Sequence, residues 1–169
     1  FSCSLNEAAL QRLLLEAHLR RAVQNDELLA YYQPLVDGRT DAVVAVEALM
    51  RWNRPEAGLV SPAQFIHVAE ESGSIHEMGR WILRAASAAS MARGWATRGI
   101  RVAVNISTQQ FKRPDVVETL VAAVADSGLT TDAVSLEITE SVLVDHARAV
   151  PTLTALKDAG FSIILDDFG

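Results

Sequence analysis

The sequence predicts an α/β domain on a mainly parallel sheet of about five strands. Three observations carry this reading. Short apolar runs recur without helical period, at Val43–Val46, Val102–Val104, Val134–Leu136 and Ser162–Leu165; such runs suit strands buried on both faces. Helical stretches closed by Gly128 and Gly160 alternate with the later runs, which is the order of repeated αβ units with right-handed crossovers. Half of the 169 residues are apolar, enough to bury one sizeable core.

The elements follow in order. Residues 5–24 read as a helix with Leu15, Leu19, Ala22 and Val23 on one face, ended by Asn25-Asp26. Leu28 to Val36 reads as a strand, and the Asp37-Gly38 turn folds it back onto the strand ending at Glu47, so the first strand is antiparallel to its neighbour. Ser61-Pro62 with Gln64, and Ser74 with Glu77, have the spacing of capping boxes that open two helices. The second carries Trp81, Ile82, Ala85, Ala89 and Ala92 on one side and ends near Gly94 or Gly99. Then come a strand at 101–106, a helix from Pro114 to Ser127, a strand at 133–139, a helix near 146–159 and a strand at 161–166. Phe161–Asp166 is too apolar for a comfortable exposed edge. A closed barrel of this type takes about 250 residues, so the expectation is an incomplete barrel.

Each of four apolar runs ends in an acid or amide: Glu47, Asn105, Glu137 and Asp166-Asp167. In α/β folds the carboxyl ends of strands are where chemistry is placed. Four oxygen-bearing endings point to ligands converging on one hard cation, or two. Alternation puts Glu47, Leu49 and Arg51 on one strand face, and the planar fork of Arg51 suits a phosphate. Asp166 is expected as the strand ligand, with Asp167 reaching the site from the loop after it. Two adjacent acids can hold two metals for phosphate-ester cleavage.

Val46-Glu47-Ala48-Leu49-Met50-Arg51-Trp52 resembles the signature of EAL domains, the cyclic di-GMP phosphodiesterases. Tyr32-Gln33-Pro34, Val104-Asn105-Ile106-Ser107, Leu136-Glu137-Ile138-Thr139-Glu140-Ser141 and Leu165-Asp166-Asp167-Phe168-Gly169 agree in order and spacing. The resemblance runs from about Leu15 to Gly169.

The resemblance implies a TIM-type (β/α)8 barrel with an antiparallel first strand. Residues 1–169 would form an incomplete domain, with 1–14 the end of a helical linker from an upstream sensor or diguanylate cyclase domain. It implies that Glu47, Asn105, Glu137, Asp166 and Asp167 hold one or two Mg²⁺ or Mn²⁺ ions, with Glu47, Asp166 and Asp167 in the catalytic set. Gln33 and Arg51, together with Leu49, would face substrate, and Glu140 would anchor the loop after Asp167. The implied reaction is hydrolysis of one phosphodiester bond of cyclic di-GMP to linear pGpG by a homodimer. The family's Lys-Ile-Asp and Gln-Gly-Tyr segments are absent from these residues, so the fragment alone is expected to be inactive. The alternative is a degenerate domain that binds cyclic di-GMP as a sensor or interaction module.

Composition bounds the rest. A net charge of −6 argues against a nucleic-acid duplex as partner. One cysteine, Cys3, and no apolar stretch of membrane-span length predict a cytoplasmic domain, even if the full-length protein is membrane-anchored elsewhere. His18, His67, His76 and His146 lack the spacing of a zinc site.

Overall fold

A computed structural model describes residues 2–166. Asp167, expected at the site, therefore lies outside the described residues, as do Phe168 and Gly169. Helix α1 (Ser2–Ala22) leads into a hairpin of β1 (Leu28–Val36) and β2 (Val43–Arg54), followed by the short β3 (Gly58–Val60). Helices α2 (Pro62–Ser72) and α3 (Ile75–Arg93) precede β4 (Arg101–Ile106) and the one-turn α4 (Thr108–Phe111). The chain continues through α5 (Val116–Ala125), β5 (Val134–Thr139), α6 (His146–Asp158) and β6 (Ser162–Asp166).

The sheet runs β1-β2-β4-β5-β6, with β3 paired to β2 off this path. β1 is antiparallel to β2, and the β2–β4, β4–β5 and β5–β6 pairs are parallel. The hairpin turn is held by Asp37, whose Oδ1 accepts from the backbone N–H groups of Arg39 and Thr40. These bonds hold the Asp37 carboxyl below its usual range.

Two expectations about the sheet are corrected. Among the described residues it has six strands, β3 being the one not foreseen. Glu47 does not end its strand, because β2 runs on to Arg54. Its pairing with β4 stops at Ala48, but β1 follows one edge as far as Trp52 and β3 pairs with Trp52–Arg54 on the opposite edge.

Three helix expectations also change. Ser61 makes no side-chain cap, since the Gln64 N–H goes to the Ser61 carbonyl instead. Ser74 is itself helical, at φ −62° and ψ −23°, and cannot aim its hydroxyl down the helix as an extended N-cap does. The buried stripe of α3 is Ile82, Leu83, Ala86 and Ala89, while Ala92 is exposed near the Gly94 terminus.

One face of the sheet is the core. Ala48, Val102, Val104, Leu136 and Ile138 pack beneath Leu83 and Ala86 of α3, Leu120 and Val124 of α5, and Leu156 of α6. Alternation sends Glu47, Ala103, Asn105, Ser135 and Glu137 to the opposite, concave face. A second cluster gathers Leu19 and Ala22 of α1, Phe65 of α2 and Met78 of α3 around Trp52. The Trp52 indole is fully buried and stacks edge-on to Phe65 at 5.8 Å. Its Nε1–H donates to Glu27 Oε2 at 2.9 Å, which removes the cost of burying that polar group.

Candidate functional site

Strand register brings the expected residues together on a diagonal. Glu47 of β2 lies level with Ala103 of β4, and Asn105, two residues further up, lies level with Glu137 of β5. Glu137 is level with Ile164 of β6, and Asp166 is again two residues further up. Such steps are the stagger that slanted barrel strands require, and they keep the site at one end of the sheet. Diagonal neighbours on adjacent strands remain within reach of long side chains. Asn105 Nδ2 accordingly donates to Glu47 Oε1 at 2.9 Å. Gln33 of β1 lies directly across the hairpin from Glu47.

The carboxylates crowd one another. Glu137 is 8 % exposed. Burial first, then the charges of Glu47 and Asp166 and a hydrogen bond with Glu47, push the Glu137 carboxyl up to about 7. A buried acid facing two others cannot hold its own charge cheaply.

Beside these acids is a cavity of about 290 Å³ between the end of the sheet and helices α2 and α3. Leu49, Arg51, Asn105, Glu137 and Thr139 form its strand side. Pro62, Ile66 and Glu70 line it from one face of α2, each four residues after the last. Ile75, Gly79 and Ile82 of α3 complete an apolar wall. Arg51 donates to the Met50 carbonyl at 2.8 Å and lies over the Tyr31 ring at 5.5 Å, so its guanidinium is held at the rim.

Glu70 and Gln110 are site residues that the sequence reading did not single out. Glu70 is half-buried in the cavity wall and forms no side-chain hydrogen bond or ion pair among the described residues. Gln110 is 6 % exposed and closes the capping box of α4: it accepts from the Ser107 N–H through Oε1, and its own N–H donates to Ser107 Oγ. Glu140 is exposed at the start of a 3₁₀ turn just past β5. The loop it was expected to anchor begins outside the described residues.

Among the described residues no group of three His, Cys, Asp or Glu side chains is placed to hold a metal ion by itself. Glu137 shares a hydrogen bond with Glu47 and senses Asp166 through its charge. The donor set nevertheless fits a hard divalent cation: it is all oxygen, since Asn105 gives its Nδ2 to Glu47 and keeps its Oδ1 for an ion. A cation would also relieve the repulsion that lifts Glu137.

Comparison with known proteins adds the following. The EAL domain family model matches residues 16–169. The chain is 39 % identical over 170 residues to the Synechocystis protein sll1895, covering 98 % of this chain and 24 % of that protein. It is 35 % identical over 172 residues to the cyclic di-GMP phosphodiesterase PdeR of Escherichia coli, covering all of this chain and 26 % of PdeR. The solved PaMucR phosphodiesterase, in complex with c-di-GMP, superposes with a TM-score of 0.84 at 34 % identity, covering 92 % of this chain and 64 % of that one. The chain thus spans about a quarter of the length of the curated relatives it matches.

Proposed function

The chain belongs to the EAL-domain family, and from that premise we propose that its site hydrolyses one phosphodiester bond of cyclic di-GMP to linear pGpG. The observation that carries this reading is the mutual repulsion of Glu47, Glu137 and Asp166 where the parallel ladder ends, beside a cavity lined by Arg51. Acids placed so close ask for a cation, and an acidic site needs one before it can admit a dianionic ligand.

Glu47, Asn105, Glu137, Asp166 and Asp167 would hold Mg²⁺ or Mn²⁺. When bound, the ion supplies Lewis-acid stabilisation of phosphoryl oxygens and lowers the pKa of water. The chain's own residues do the rest. Glu137 would give up its proton when an ion binds, and Asn105 keeps Glu47 in position through their 2.9 Å bond. Arg51 retains free donors for one phosphate, and Gln33 and Leu49 face the substrate from the neighbouring strand and the same strand. The apolar side chains of Pro62, Ile66, Ile75 and Ile82 shape a slot for a flat base and exclude water. Glu140 would anchor the loop after Asp167. An upstream signalling domain, like the rest of the longer protein, rests on the family resemblance. The homodimer rests on the family resemblance.

The test is incubation of the complete EAL domain that contains these residues with cyclic di-GMP and Mg²⁺, product identification by chromatography, and a chelator control. Chelator-sensitive appearance of pGpG is expected. Saturable binding without turnover would turn the reading into that of a sensor, and neither binding nor turnover would end it.

A further inference from the structure

Gln110 lines a second cavity as well, a smaller one of about 100 Å³ shared with His76, Arg80 and Arg113. We propose that this cavity is a separate anion site, which takes the phosphate group of a small phosphorylated ligand. The proposal does not depend on the activity argued above.

His76 and Arg80 stand four residues apart on α3 and both face the cavity. The Nδ1 atom of His76 is buried and has no hydrogen-bond partner among the described residues, so the ring still has a hydrogen bond to make. Arg80 is exposed, and it forms no hydrogen bond or ion pair among the described residues. Arg113 is fixed by a two-pronged bond to Asp115, 2.7 Å on each prong. That bond answers the one acid in the cavity wall. Two guanidiniums and an imidazole thus face a space open to solvent, in a chain of net charge −6. Burial and the two arginines hold His76 below its ordinary range. An oxyanion there would reverse that shift and accept from the guanidiniums and the ring together.

The probe is inorganic phosphate, titrated at constant ionic strength against chloride and acetate, with the His76 ring signals followed by NMR. Phosphate is expected to move these signals saturably and to raise the pH at which the ring titrates. Arg80→Ala should weaken the phosphate response about tenfold, the scale of one charge-assisted hydrogen bond. Arg80→Gln should do the same, and Arg84→Ala, on an exposed pair with Asp126, should leave it unchanged. Arg80 is exposed, so its variants keep the fold, which circular dichroism verifies. A response to phosphate no larger than to chloride overturns the site. Equal responses to acetate and phosphate overturn the phosphate assignment, and an Arg80→Ala titration matching the parent overturns the role of Arg80.

Discussion

The Asn105 amide and the Glu47 carboxylate, 58 positions apart in sequence, meet at 2.9 Å on neighbouring parallel strands. The bond holds one acid in a fixed orientation against the others, and a ligand set works only when each member is held. Asn105→Ala is therefore expected to lower kcat/KM about 10–100-fold, the usual cost of losing a supporting partner at a metal site. Glu47→Ala should remove turnover altogether. Steady-state kinetics with cyclic di-GMP and Mg²⁺ decide both, and normal turnover by Glu47→Ala would take that residue out of the reaction.

A second expectation concerns pH. The Glu137 carboxyl titrates at about 7 in the folded chain against an ordinary value of 4.5. Between those limits the folded state binds the extra proton, so the share of stability that rests on Glu137 is full below about 4.5 and is lost as pH rises through about 7. Screening at the open rim reduces the loss to the order of 1–2 kcal/mol. Urea unfolding at several pH values in the presence of a chelator should show this decline, and Glu137→Gln should flatten it. Divalent-ion affinity should rise over the same window, because loading expels the proton.

Glu70 gives a selectivity prediction. An unpaired carboxylate in an apolar slot is suited to a base edge with two adjacent N–H donors, which guanine has at N1 and N2. Glu70→Gln replaces one acceptor oxygen with a donor and should weaken cyclic di-GMP binding roughly tenfold. It should also narrow the preference over the inosine analogue, which lacks the N2 amino group. Calorimetry with both ligands would show it; an unchanged preference would place Glu70 outside base recognition.

Gly79 supplies a packing test. A Cβ at this position would collide with the Gln110 side-chain amide, which is also the capping partner of Ser107. Gly79→Ala must push Gln110 aside, and losing the cap should cost about 1–2 kcal/mol. Gln110→Ala, which removes the obstacle, should leave little further penalty for Gly79→Ala. A full additive loss in the double variant would show that the two residues act independently.

The parts legible in the sequence were those with local signatures. Strands β4, β5 and β6 showed as β-branched runs between glycine-closed helices, and the antiparallel start showed in Asp37-Gly38. Strand β3 was not visible because Gly58-Leu59-Val60 is too short to carry a period, and its pairing to Trp52–Arg54 is set by tertiary contact. Ser61–Gln64 and Ser107–Gln110 share the capping spacing, yet only the second pair closes a box. Which serine caps its helix depends on where neighbouring backbone bonds go, and spacing does not report that. Glu70 is hidden in the sequence because two adjacent acids on a helix are ordinarily solvated. Its one signal was an acid continuing the apolar Pro62–Ile66 stripe at the same interval.

The parallel pairing of β2 with β4 also bears on how the chain assembles. Ala45 and Arg101 are paired across these strands although all of α2 and α3 lies between them in sequence. Distant contacts carry their loop-closure entropy before they return any stabilisation. The three acids consequently come face to face late, when the hairpin and helices already exist. A divalent ion added during refolding should thus leave the early phases alone and slow only the reverse step, acting as a latch on a finished molecule.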